Sequence, residues 1–173
     1  MDQQAAILLA ALRRTSAASE SKLTLLNNLK SDIKHSRVPE NAQPVIFECL
    51  KVAISQTSSS SIPTAAFTTL GHLIKRLKIQ DPDGASLASH APKLFPALQE
   101  RLGDLRENNR QAASQALSEL WPFCGHDIEQ MMRDEVITGS SARAKEMGMQ
   151  WVVKVYTPLY VRLVYITDTV LHR

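Results

Sequence analysis

The chain has 173 residues, 44% apolar and 21% charged, which is one domain's worth of core and excludes disorder throughout. Aromatics at 5%, with six Gly and eight Pro, favour helices built from Ala, Leu and Lys/Glu over a β-sandwich. The net charge of +3 permits an acidic partner, but no long Lys/Arg run accompanies it, so no nucleic-acid partner is expected.

Helical periodicity dominates to about residue 154. The run Ala5–Leu12 is apolar at nearly every position and reads as a buried first helix. It is too short for a signal segment with its cleavage site, and no basic residue precedes it. No stretch reaches the roughly 18 apolar residues that span a bilayer. The expectation is a soluble cytosolic or nuclear protein with no membrane partner. Thr15–Ser19 interrupts the run, and Ser19 or Ser21 is placed to cap the next helix. There Leu23, Leu26, Leu29 and Ile33 share one face. His35–Pro39 ends the first pair.

The second pair starts with Val45, Ile46, Cys49, Leu50, Ala53 and Ile54, again at spacings of three and four. Gln56–Ser61 is a polar break. Pro63 fits the first turn of the following helix, where its missing N–H costs nothing. Ala66, Leu70, Leu73, Ile74 and Leu77 form that helix's stripe, and Asp81-Pro82-Asp83-Gly84 is a turn. A third pair runs from Leu87 to Leu102, turns at Gly103-Asp104, and returns through Arg110, Ala113, Leu117 and Leu120. A fourth carries Ile128, Met131, Met132, Val136 and Ile137, breaks at Thr138–Ser141, and returns through Met147 and Trp151.

These pairs are an internal repeat. Aligning the second helices on Leu29, Leu70, Leu117 and Trp151 gives steps of 41, 47 and 34 residues. Asp104, then Arg110, Ala113 and Leu117, matches the HEAT pattern of an Asp in the turn and an Arg opening the second helix. The equivalent slots Ser16/Lys22, Thr57/Pro63 and Thr138/Ala144 are degenerate. A single helix pair cannot bury both its faces, so the prediction is all-α: an α-solenoid of about four HEAT-like helix pairs with a row of turns along one edge. Residues 155–173 depart from the pattern. They hold all three tyrosines and many β-branched residues, a strand-forming composition with no sheet to join, so an irregular C-terminal tail is expected. Two other readings stand beside it. The segment begins a fifth helix pair, or it is read-through of an intron, since Val155-Tyr156 can be encoded by a donor-like GTNTAY.

No motif for catalysis or cofactor binding is present: no glycine-rich phosphate loop, no G-x-S-x-G and no H-E-x-x-H. Cys49 and Cys124 lack framework spacing and read as reduced core thiols. Cys124-Gly125-His126-Asp127 has no second ligand pair for a metal. Its simpler reading is a helix ending near Cys124 with Gly125 as the residue past its end. His72 and His90 read as surface or capping residues, and Trp121 and Trp151 as core. Lys75, Arg76 and Lys78 read as favourable charge at a helix C-terminus. Solenoids bind through one edge, which makes Arg106, Asn108 and Asn109 in the third turn, and Arg143 and Lys145 after the fourth, the candidate contacts. Arg110 reads as structural, pairing with Asp104.

The stretches Lys22–Lys30, His35–Glu40, Pro44–Leu50, Leu70–Leu77, Leu94–Trp121 and Ala144–Lys154 resemble the N-terminal TOG-like domain of CLASP proteins, most of all the filamentous-fungal ones. The resemblance implies a non-enzymatic microtubule-associated protein with no cofactor or metal. CLASPs promote rescue, suppress catastrophe and act at spindle and kinetochore microtubules, which implies a cytoplasmic, cytoskeletal, nuclear and mitotic-spindle location. It also implies tubulin bound along the turns of six HEAT-like units. Residues 1–154 then form an incomplete TOG-like array and 155–173 an atypical tail. Thr15–Ser19 lacks the aromatic residue that tubulin-binding TOG domains place in the first turn. That leaves the alternative of an adaptor solenoid with a kinetochore or regulatory contact and no tubulin.

Overall fold

The computed structural model describes the backbone of residues 1–14 and 16–171, and the side chains of residues 1–14 and 16–157. All the regular structure described is helical: α1 (Asp2–Arg13), α2 (Ser19–His35), α3 (Gln43–Ile54), α4 (Ser61–Gln80), α5 (Ala85–His90), α6 (Phe95–Leu102), α7 (Glu107–Met131) and α8 (Ala142–Leu171). A 3₁₀ turn, Ala91–Leu94, joins α5 to α6 around Pro92, and a π-helical turn, Met132–Ile137, extends α7. Paired in order, these are the four units of the expected solenoid. The third unit is α5–α6 with the first part of α7. The fourth is the end of α7, with its π-helical turn, and α8.

One helix therefore serves two units. It bends at Cys124, whose φ of −129° and ψ of 28° leave the helical region. Pro122 supplies the cause, because it has no N–H to donate and its ring crowds the carbonyl of Ser118. The sequence predicts a helix end near Cys124 with Gly125 just past it; the break does fall at Cys124, but the helix resumes beyond it and Gly125 does not take a positive φ. What Gly125 provides is room, since a Cβ there would stand 3.4 Å from Nε1 of Trp121. Positive φ belongs to Gly84, at 74°, in the turn Asp81–Gly84. Its N–H donates to the Asp81 carbonyl (3.0 Å), and the Asp81 carboxylate accepts the N–H of Ser86 (2.7 Å). The bonds from Ser86, its N–H first, hold the Asp81 carboxyl below the usual carboxylate range.

The repeat is visible in which residues touch. In the layer of first helices, the Cys49 thiol donates to the Ala5 carbonyl (3.1 Å) and the Gln56 amide to that of Leu12 (3.3 Å), both 44 residues apart. In the layer of second helices, Arg76 donates to the carbonyl of Ile33 (3.1 Å), 43 residues back, and to that of Lys34. Like helices thus stack on like, in parallel, about one repeat apart. The aligned residues Leu29, Leu70 and Leu117 are 0% exposed and Trp151 is 1% exposed. Burying such a side chain contributes roughly 1.5–3 kcal/mol.

Three local expectations give way. α1 is not buried throughout: Ala5, Leu8 and Leu12 are, whereas Ile7 is 53% exposed. Among the described residues α1 packs on α2 and α3, which leaves its other side open. Neither Ser19 nor Ser21 caps α2, because the helix begins at Ser19 and the capping position falls on Ala18. The backbone of α8 also stays helical through Leu171, where an irregular segment was expected. A helix already nucleated gains one hydrogen bond per added residue, and among the described residues there is no strand to offer the segment another partner.

Candidate protein-binding edge

The turns inside the four pairs lie in a row, and hydrogen bonds stitch them together. Gln56, in the second turn, reaches back to the last turn of α1. Arg101, at the end of α6, reaches back to the second turn. Its Nε donates to the Ile54 carbonyl (2.8 Å) and its Nη2 to that of Gln56 (2.9 Å). Its Nη1 holds Asp104 Oδ2 at 2.5 Å, and its side chain is 8% exposed. Gly103 then abuts the fourth turn, for a Cβ on it would lie 3.0 Å from Ser141 Oγ.

The third turn is built around the Asp104 carboxylate. Besides Arg101, it accepts the Arg106 backbone N–H (2.9 Å) and the Asn109 amide (3.0 Å). Burial alone would raise its pKa; the N–H donors and the guanidinium outweigh burial and hold it below the usual range. Arg110 spans the turn from the other side, donating to the carbonyls of Asp104 (2.9 Å) and Leu105 (3.1 Å). The expected Asp104–Arg110 pairing therefore runs through the backbone carbonyl, and Arg101 takes the carboxylate.

The candidate contacts separate accordingly. Arg106 and Asn108 are exposed. With Ser60, Ser61 and Thr64 they line an open groove of about 700 Å³ between the second and third turns. Asn109 shares that lining but is 5% exposed, with its amide spent on Asp104, so it shapes the turn rather than presenting a free group. Arg143 is exposed and Lys145 half-buried on the first turn of α8, where Ser141 Oγ caps the helix by accepting the Ala144 N–H (3.2 Å). Leu105, 78% exposed beside Arg106, escaped the sequence reading. Arg101 escaped it too, although a charged residue among Leu98 and Leu102 on an apolar stripe was a signal.

The remaining singled-out residues are structural. Arg76 does not serve its own helix end; it satisfies the last carbonyls of α2. Lys78 lies over the Phe123 ring, 5.3 Å from its centre. His90 is half-buried against Phe47 at 5.7 Å, where burial and Lys93 push its pKa down. Trp151 is core, whereas Trp121 is half-buried and donates to Glu129 (2.8 Å). Burial pushes the Cys49 thiol up to about 12 and that of Cys124 to about 11, so both stay protonated and unreactive at neutral pH. Among the described residues, no group of three or more His, Cys, Asp or Glu converges, and no helix is long and apolar enough to cross a membrane.

Two stacked helical layers with a stitched row of turns define a HEAT-like α-solenoid, a class of scaffold that works by presenting an edge. The chain belongs to the family described as CLASP N terminal, which matches residues 1–159. It is 44% identical over 154 residues to protein STU1 of Phaeosphaeria nodorum, covering 89% of this chain and 13% of that one. To protein stu1 of Aspergillus fumigatus it is 40% identical over 155 residues, covering 90% and 11%. To protein stu-1 of Neurospora crassa it is 38% identical over 155 residues, covering 90% and 13%. The chain thus spans about an eighth of the length of these curated relatives. No solved structure matches it.

Proposed function

We propose that the chain is a non-enzymatic, TOG-like unit, residues 1–154, of a CLASP-like microtubule-associated protein, and that it binds tubulin or the microtubule through its row of turns. The observation that carries this reading is the Asp104-centred third turn, which fixes the backbone while leaving the cation of Arg106 and the amide of Asn108 pointing outward. A surface held this way loses little conformational freedom on binding. Arg143 and Lys145 extend the basic edge to the fourth turn, and Gly103 against Ser141 sets the two turns side by side. Such an edge stabilises a polymer when it binds the lattice-compatible form of the subunit more tightly than the free form. The setting that follows is the cytoskeleton and the mitotic spindle, with the nucleus and kinetochores included.

The test is co-sedimentation of the chain with microtubules at low and high salt, beside a variant carrying Arg106→Ala, Arg143→Ala and Lys145→Ala. Salt-sensitive pelleting that the variant loses supports the reading. A folded, monodisperse chain that stays in the supernatant at low salt overturns it. One observation favours a second reading, an adaptor with a kinetochore or regulatory partner: Leu105 places an apolar side chain, 78% exposed, at the tip of the same turn.

A further inference from the structure

Charge is divided between the two layers. On the described second helices, taking α7 to Phe123 and α8 to Thr157, ten Lys and Arg face five Asp and Glu. On the first helices the numbers are five and seven. The basic excess concentrates where the ends of α2 and α4 meet, away from the turn edge. Arg76 fixes the register there: its bonds to the Ile33 and Lys34 carbonyls set the last turns of the two helices side by side. Lys30 and Lys34, four apart, share a face of α2, and His72 and Lys75 lie within a turn of Arg76 on α4. Lys30 stands eleven residues into α2, about 16 Å along the axis from the turn edge.

None of these lysines is neutralised. The ion pairs among the described residues are Arg13–Glu48, Lys51–Glu48, Arg101–Asp104 and Arg133–Asp134. Lys30 donates only to the Asn27 side chain, at 2.9 Å. The charges that act on His72 are cationic: Lys34 and Lys30 from α2 and Lys75 from its own helix. Partial burial first, and then Lys34, Lys75 and Lys30, push its pKa down. One turn beyond Lys75, Ile79 is 72% exposed.

We propose that this α2–α4 face is a second interaction surface, separate from the turn edge, that takes a flexible acidic segment of a partner protein, a run of Glu or Asp with an apolar residue set against Ile79. Four clustered cationic or titratable groups beside one apolar side chain match that chemistry. Nucleic acid fits less well, because the Arg76 guanidinium is spent on backbone carbonyls and the exposed apolar side chain beside the lysines among the described residues, Ile79, is no aromatic on which a base could stack.

The experiment is a titration of the isotope-labelled full chain with a short synthetic poly-glutamate peptide, followed by amide and imidazole NMR. Shifts confined to the last turns of α2 and α4, with the His72 pKa rising as carboxylates draw near, support the proposal. Replacing Lys30, Lys34 and Lys75 together by Glu then weakens the peptide by about tenfold or more. Three results overturn it: no shifts, shifts at Arg106 and Arg143 instead, or an unmoved His72. It is also overturned if a single-stranded oligonucleotide or phosphatidylserine vesicles bind this face more tightly than the peptide. Because the wild-type map decides by itself, a variant that fails to fold leaves the test intact.

Discussion

The third and fourth turns both carry candidate basic residues, and they are held in different ways. In the third, four side chains converge: Arg101, Asp104, Asn109 and Arg110 satisfy one another and the turn's backbone, and Arg101 ties it to the unit before. In the fourth, the side-chain bonds are local. Thr138 Oγ1 donates to the Asp134 carbonyl (2.6 Å) and Ser141 Oγ caps α8. Among the described residues no ion pair anchors that turn to a neighbour. The difference teaches how one repeat fold presents rigid and looser turns on a single edge: a buried charge network fixes a turn, and a cap merely starts a helix.

The largest expected effect comes from cutting the network. Arg101→Ala leaves the Asp104 carboxylate and two carbonyls without their buried donor, so urea unfolding should show a loss of about 3 kcal/mol. Arg143→Ala, at an exposed site of the fourth turn, should stay within about 0.5 kcal/mol. Equal losses would break the contrast. Next is the turn that opens the third unit at the other edge. A Cβ on Gly84 would fall 2.0 Å from Phe123 Cδ1, at a φ of 74° that L side chains rarely adopt. Gly84→Ala should therefore cost about 2 kcal/mol in the same measurement.

A smaller effect reports on protonation. The Asp104 carboxyl is held below its ordinary value, so its contribution is present above the unfolded-state pKa and is lost as pH falls through the folded one. Asp104→Asn should be less stable than wild type by about 1 kcal/mol at neutral pH, with the gap closing below about pH 4. A gap that stays constant with pH would place the energy elsewhere. A smaller loss again belongs to the fourth turn, where Ser141→Ala removes the α8 cap and should cost about 0.5–1 kcal/mol, seen as a shift in thermal midpoint.

The apolar rhythm made the solenoid legible. Leu29, Leu70, Leu117 and Trp151, aligned by spacing alone, are all core, and the Asp81–Gly84 turn lies where its residues required. The site was legible only where its pattern was local. Asp104 and Arg110 could be read from the HEAT spacing; Arg101 could not, since its role depends on carbonyls 45 and 47 residues back in the preceding unit. Asn109 looked like a contact because polar residues in turns usually face water, and here Asp104 draws it inward. The tail was left open between an irregular segment and a further helix, and its backbone takes the helical reading. Propensity describes a residue alone, and a helix already running past Lys154 outweighs it.

The most direct test of the edge compares single substitutions in microtubule co-sedimentation at low salt. A preorganised turn carries more binding energy than a loosely held one. Arg106→Ala should therefore weaken pelleting clearly more than Arg143→Ala, with both proteins fully folded. Equal weakening, or a larger loss from Arg143→Ala, would contradict the claim that the Asp104 network makes the third turn the principal contact.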